Sequence, residues 1–170
     1  MDFGFTNDPT AIVQIVADHR KKECYIRERC YQTHMRNVHI IEELQNAELD
    51  RNTELYADCA EPKSIADIKD AGFNVKPCSK DAPVKSDKLK FQIQWMQGWK
   101  FHVTKDSINL INELRNYTWE KDADSRPLNQ PIDKFNHCLD ALRYGLYTRF
   151  GQNAGYGQYN IHNGKRRKYD

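Results

Sequence analysis

Glu54-Leu55-Tyr56-Ala57-Asp58-Cys59-Ala60-Glu61-Pro62-Lys63-Ser64-Ile65-Ala66-Asp67-Ile68-Lys69-Asp70-Ala71-Gly72-Phe73-Asn74-Val75-Lys76-Pro77 is the stretch on which the fold turns. Glu54–Asp58 reads as a short strand. Pro62 suits the first turn of a helix, where its missing N–H is not needed, and Ile65 and Ile68 give that helix an apolar edge. Gly72 stops the helix, and Phe73–Pro77 reads as a second strand. A strand, a helix and a strand in so short a span form a βαβ crossover, so the two strands are parallel neighbours in one sheet.

Upstream, Ala11–Ala17 is β-branched and apolar, the pattern of a buried strand. Thr6-Asn7-Asp8-Pro9 before it is turn chemistry, which makes the segment from Asp2 the first arm of a hairpin. Glu23–Thr33 reads as a third strand. Met35 to Leu49 carries Val38, Ile41, Leu44 and Leu49 at helical spacing, with Asn37 as its cap. Downstream, Asp87–Gln97 reads as a helix and Trp99–Val103 as a short strand. Asp106 is placed to cap a helix whose apolar face is Ile108, Ile111 and Leu114. A polar loop is expected at 120–131. The last helix is expected to start near Asp133, pack Phe135, Leu139, Leu142, Leu146 and Phe150 on one stripe, and end near Gly151. The expectation is an α/β domain over residues 1–150 with a mixed central sheet, followed by a flexible basic tail, 151–170.

The chain has 170 residues, with 26 Lys plus Arg against 24 Asp plus Glu, for a formal charge of +2. Without Lys165–Asp170, which carry four bases and one acid, 22 bases face 23 acids. The excess positive charge therefore lies in the tail. A second basic run, Lys76, Lys80, Lys85, Lys88 and Lys90, outnumbers Asp81 and Asp87. Such runs suit either phosphate contact or plain solvation. No window approaches the ~18 apolar residues of a spanning helix, and residues 1–20 lack a signal-peptide pattern. Five cysteines without C-x-x-C spacing suggest neither a disulfide framework nor a zinc site, which points to a reducing cytosol.

Three acids sit where open α/β sheets place chemistry. Asp2 lies on the first strand, and Asp58 ends the strand that opens the βαβ unit, at the carboxyl edge of the sheet. Asp140 lies within the last helix, where Asp133, His137, Asp140 and Tyr144 form a polar stripe at steps of four, three and four, nearly opposite the apolar stripe. Converging carboxylates repel unless cations separate them, and hard oxygen donors favour Mg²⁺ or Mn²⁺. Two such ions about 4 Å apart can activate water and stabilise a leaving phosphodiester oxygen. Each acid taken singly is more readily read as a cap, a turn residue or part of a solvated face.

Asp2-Phe3-Gly4-Phe5-Thr6-Asn7-Asp8-Pro9-Thr10-Ala11 resembles the opening of the nuclease domain of tailed-bacteriophage terminase large subunits. Ala57-Asp58-Cys59-Ala60-Glu61-Pro62-Lys63-Ser64-Ile65 resembles that family's second acidic motif. Asp133-x-x-Asn136-His137-x-x-Asp140-Ala141-x-Arg143-Tyr144 resembles its third. The resemblance implies an RNase H-like fold of the integrase superfamily, with catalytic acids Asp2, Asp58 and Asp140. It also implies two divalent cations, Mg²⁺ or Mn²⁺, with Asp2 and Asp140 holding one ion and Asp58 completing the second site. The implied activity is endonucleolytic cutting of concatemeric double-stranded phage DNA during packaging, in the host cytoplasm and transiently at the procapsid portal. That work takes place outside the mature virion. The implied partners are an ATPase domain of the same subunit, the portal protein and the small terminase subunit.

The ATPase expected ahead of the nuclease needs a P-loop, and G-x-x-x-x-G-K-[ST] does not occur in this sequence. The expectation is therefore a C-terminal domain of a longer subunit. Met1 stands directly before Asp2, which predicts a poorly held acid, because chain ends fray.

Several further residues carry double readings. Glu61 and Asp133 are helix caps or outer contacts of a metal site, and His137 orients Asp140, touches a phosphate or lies on the surface. Lys80, Lys85, Lys88, Lys165, Arg166 and Arg167 are candidate DNA contacts. Arg143 is expected to pair with a neighbouring carboxylate, and Trp95, Trp99 and Trp119 to pack in the core. Two other readings stay open: a recombinase or junction resolvase of the same superfamily, and a non-catalytic DNA- or portal-docking module.

Overall fold

The computed structural model describes residues 1–84 and 87–152. Its elements are β1 (Thr10–Asp18), β2 (Glu23–Gln32), α1 (Asn37–Asn46), β3 (Leu55–Ala57), α2 (Pro62–Asp70), β4 (Val75–Pro77), α3 (Lys88–Met96), β5 (Lys100–Val103), α4 (Ile108–Asn116), β6 (Trp119–Lys121), β7 (Pro127–Pro131) and α5 (His137–Phe150). Lys85 and the basic tail, with Lys165, Arg166 and Arg167, lie outside the described residues.

The βαβ reading holds. β3 and β4 pair in parallel in the register Leu55↔Val75 to Ala57↔Pro77. Gly72 ends the crossover at φ 88°, a left-handed conformation that glycine adopts without a Cβ penalty. β1 pairs antiparallel with β2, and β2 parallel with β5. Backbone hydrogen bonds join the two groups through the chain start. Asp2 exchanges two 2.9 Å bonds with Ala11, the Met1 nitrogen donates to Tyr56 O, and Asp58 N donates to Met1 O at 3.1 Å. Side by side the order is β4, β3, Met1–Asp2, β1, β2, β5: a mixed sheet with Asp2 near its middle.

Helices cover both faces. Neighbouring residues on β1 point to opposite sides, so Ile12 joins one core and Ala11 the other. The first core takes Ile40 and Leu44 from α1, Ile68 from α2, and Met1, Phe73 and Val75. The second takes Met96 from α3, Leu110 from α4, and Cys138, Ala141, Leu142 and Leu146 from α5. Trp99 is buried in this second core against Trp95 and Phe150. At roughly 1.5–3 kcal/mol for each large apolar side chain buried, this second layer supplies the main force that holds α5 across the sheet. Among the described residues, no helix is long and apolar enough to cross a membrane.

Several boundaries differ from the sequence reading. Met1 and Asp2 are buried and hydrogen-bonded on both sides, so the expected fraying of Asp2 is not seen; Asp2 itself forms a single bridge with Ala11 and not a full hairpin arm. α1 starts at Asn37 with Arg36 in the cap position, and the Asn37 amide donates to Asp67 on α2 (2.7 Å) instead of capping. Glu48, at φ 49°, ends the turn after α1 before Leu49. Residues 120–131 are not all loop. β6 and β7 form a hairpin whose turn closes on Asp122, which accepts the N–H groups of Asp124 and Arg126 at 2.9 and 2.8 Å.

α4 turns a different face inward from the one expected. Leu110 and Glu113 are buried, whereas Ile108 is 66% exposed. Ser107 occupies its cap position, and Asp106 pairs instead with Arg27 at 2.7 Å. The missing cap is supplied from β2, where the Glu28 carboxylate accepts the Leu110 N–H (2.9 Å) and the Asn109 amide (2.6 Å). Glu113 then does the same for α5, accepting the Leu139 N–H at 3.0 Å. Each carboxylate sits at the positive end of a helix and satisfies an otherwise orphaned donor. α5 therefore begins at His137. Phe135, at φ 57°, breaks the helical path between Asp133 and Asn136, so Asp133 is not its cap and Phe135 is 40% exposed instead of packed on the stripe.

Candidate active site

The carboxyl end of β3, the chain start and α5 come together near the middle of the sheet, and each contributes an acid. The side chains of Asp2, Asp58 and Asp140 are 12%, 16% and 20% exposed, too buried to be ordinary surface carboxylates. Tyr144, one turn along α5 from Asp140, reaches Asp58. Its hydroxyl donates to Asp58 Oδ2 at 3.4 Å, and burial, with the negative charges of Asp140, Asp2 and Asp58, pushes its phenol upward. The expected polar stripe of α5 thus faces inward: Tyr144 is buried, and His137 and Asp140 are half-buried.

Each acid has its own basic partner. Asp140 accepts Arg143 Nε at 3.2 Å and Nη2 at 3.0 Å, while Arg143 Nη1 donates to Gln92 Oε1 at 2.6 Å. Burial raises the Asp140 carboxyl above its ordinary value, the nearby Asp2 charge adds to this, and Arg143 opposes it. Asp58 Oδ1 lies 2.5 Å from Lys80 Nζ and accepts the Ala60 N–H at 3.0 Å. Burial pushes Asp58 up, but Lys80, the Ala60 N–H and Tyr144 outweigh it and hold the carboxyl below its usual value. His137 Nδ1 lies 3.2 Å from Asp2 Oδ2, and its Nε2 lies 3.6 Å from Asp8 Oδ1. Its pKa is raised, chiefly by the Asp2 hydrogen bond.

His137 therefore contacts Asp2, not the Asp140 one turn along its own helix. The Asp8 contact depends on a tight loop. Thr10 Oγ1 donates to Gly4 O at 2.8 Å, and a Cβ on Gly4 would stand 2.3 Å from Asp8 O, so only glycine fits there.

Lys80, a candidate DNA contact, pairs with Asp58 and lies over the Tyr144 ring, 5.3 Å from its centroid. Its loop is clamped by Ser79 N to Thr148 Oγ1 (2.9 Å) and by the Gln92 amide to Asp81 O (2.9 Å). A signal for this was present in the sequence: Lys80 follows the carboxyl end of the strand parallel to the one that ends at Asp58. Lys88 pairs with Asp81 at the surface at 2.7 Å. Glu61 holds the cap position of α2 without a side-chain cap bond and is exposed. Asp133 is exposed and accepts the Asn136 amide at 3.5 Å.

Chemically, the three acids are largely buried hard oxygen donors from three elements, a donor set suited to Mg²⁺ or Mn²⁺ and unsuited to a purely structural zinc site. The strand order and the helices on both faces define an RNase H-like domain. The chain belongs to the terminase RNase H-like domain family, which it matches over residues 2–147.

Among known proteins it is 30% identical over 146 residues to the PBSX phage terminase large subunit of Bacillus subtilis (strain 168), covering 86% of this chain and 33% of that protein. It is 26% identical over 149 residues to the terminase large subunit of Bacillus phage SPP1, covering 86% and 34%. The chain thus spans about a third of the length of these curated relatives. The crystal structure of the SPP1 g2p large-terminase nuclease domain with bound Mn superposes with a TM-score of 0.75 at 24% identity, over 87% of this chain and 82% of that one. The P22 large-terminase nuclease domain gives 0.64 at 19%, over 88% and 79%. At these identities the structural likeness concerns the fold.

Proposed function

We propose that this domain is a metal-dependent endonuclease that cuts concatemeric double-stranded phage DNA during genome packaging. The observation that carries the reading is the presence of three largely buried carboxylates, Asp2, Asp58 and Asp140, on three separate elements, with Asp58 bonded to Tyr144 of the helix that carries Asp140. The Mn bound in the SPP1 nuclease domain supports a divalent ion for this chain. Asp2 and Asp140 would hold one Mg²⁺ or Mn²⁺, and Asp58 would complete the site of a second. When bound, such ions supply an activated water and stabilise the leaving oxygen of the phosphodiester.

The chain's own residues hold the acids ready for that chemistry. Arg143 and Gln92 fix the Asp140 carboxylate, the Ala60 N–H fixes Asp58, and His137 orients Asp2. Lys80 balances Asp58 and stands where a DNA phosphate would approach the cluster. The shortage of basic residues outside the tail suits a nuclease delivered to DNA by an ATPase domain, with portal protein and small subunit as partners, in the host cytoplasm at the procapsid portal.

The test is incubation with supercoiled plasmid and Mn²⁺ or Mg²⁺. Nicking and degradation are expected, nearly independent of sequence, because the site has no base-reading element. Asp140→Ala and EDTA should each abolish cutting; activity that survives both overturns the proposal.

A further inference from the structure

The two parallel strands β3 and β4 end side by side, and the residues that follow them form a second donor cluster. Cys78 N donates to Ala57 O at 2.7 Å, which draws the end of β4 against the turn after β3. There the Cys59 and Cys78 sulfurs and one carboxylate oxygen of Asp58 all lie within 4.8 Å of one another. Cys59 is exposed and gives a cation access from solvent, while Cys78 is buried. Nineteen residues separate the two cysteines, so spacing along the sequence does not reveal the pair; the crossover creates it.

Two thiolates and a carboxylate, with water in the fourth position, make a soft tetrahedral set that prefers Zn²⁺ or Cd²⁺ to the hard ions suited to three carboxylates. We propose that Asp58, Cys59 and Cys78 form a binding site for a thiophilic divalent cation, and that its occupation takes Asp58 away from the three-acid cluster. Each thiol gives its proton to solvent as the metal–sulfur bond forms, so no oxidant is required. Lys80 must leave Asp58 for the cation to enter. The second clause of the proposal, loss of cutting, rests on the nuclease reading above; the binding clause stands without it.

The experiment titrates the intact chain with Cd²⁺ and follows the ultraviolet thiolate-to-metal charge-transfer absorption, then adds Zn²⁺ to the Mn²⁺-supported plasmid assay. A band saturating at one equivalent is expected. Cys59→Ser should remove the band, weaken Cd²⁺ binding by at least about tenfold, and leave cutting without Zn²⁺ unchanged while relieving the inhibition by Zn²⁺. The exposed Cys59 carries the test, because replacing the buried Cys78 risks the fold; circular dichroism checks that Cys59→Ser is folded.

No band, or a band undiminished in Cys59→Ser, overturns the site, since the remaining thiols Cys24, Cys30 and Cys138 are buried elsewhere. A band with full cutting activity in saturating Zn²⁺ overturns the inhibitory clause. A chain that shows no cutting in Mn²⁺ at all counts against the nuclease reading, and the absorbance still decides the site.

Discussion

Replacing Arg143 by leucine isolates what holds Asp140 in its buried place. The guanidinium is 7% exposed and its carboxylate partner 20%, so both charges have lost most of their water. At contact, with an effective dielectric near 20, their attraction is worth about 4 kcal/mol. The variant loses that attraction and leaves the Gln92 oxygen without its 2.6 Å donor. Breaking a buried pair on one side costs about 3–5 kcal/mol, because the remaining charge is uncompensated.

Protonation of Asp140 limits the damage, which gives the loss a sign in pH. Burial and Asp2 already raise this carboxyl, and without Arg143 it rises further. A folded-state pKa above the unfolded value contributes stability below the unfolded pKa, near ~3.9, and loses it as pH rises through the folded one. The penalty of Arg143→Leu should therefore be small in acid and reach its full size near neutral pH. Urea unfolding followed by the fluorescence of the three tryptophans measures it. The double variant Arg143→Leu/Asp140→Asn should be more stable at pH 7 than the two single losses added together. A cost below about 1 kcal/mol at pH 7, or one independent of pH, would refute the reasoning.

Three further outcomes follow from the same contacts. Glu113 is buried and its carboxyl is raised, mainly by burial, so wild type loses stability as pH climbs from ~4.3 through the folded pKa. The melting temperature of Glu113→Gln relative to wild type should accordingly increase from pH 4 to pH 8, and a constant difference would contradict the assignment. Glu28→Ala removes the cap that β2 lends to α4 and should cost about 1–2 kcal/mol in urea unfolding; a neutral effect would show that the Leu110 N–H finds another acceptor. Gly4→Ala puts a Cβ 2.3 Å from Asp8 O and should lower stability by about 1–3 kcal/mol in thermal melts, whereas an unchanged melting temperature would mean the loop yields freely.

The parts of the fold legible in the sequence are those whose signals are local. Pro62 and Gly72 bracket α2, and the β-branched run of β1 announces a buried strand, so the crossover and the mixed α/β sheet follow from them. The three acidic motifs likewise point to the terminase family, whose RNase H-like domain the chain matches over residues 2–147. Signals that act across the chain were out of reach. An apolar-stripe reading of α4 favours Ile108, Ile111 and Leu114, yet the buried face carries Glu113, whose charge is useful only because the N-terminus of α5 lies against it. Asp133 has the chemistry of a cap but stands before the break at Phe135. Pro127 and Pro131 argue against a strand, although the two-stranded β6–β7 hairpin accommodates them. At the site, the sequence offers Lys80 as a DNA contact and His137 as a neighbour of Asp140, and only the folded sheet brings Asp58 and Asp2 to them.

The most direct test of the three-acid site is an anomalous-difference map from crystals soaked in Mn²⁺. The account predicts manganese peaks about 2.1 Å from carboxylate oxygens of Asp2, Asp58 and Asp140, with Lys80 displaced from Asp58. Well-ordered crystals with no peak among these three side chains, or with manganese bound only elsewhere, would contradict it.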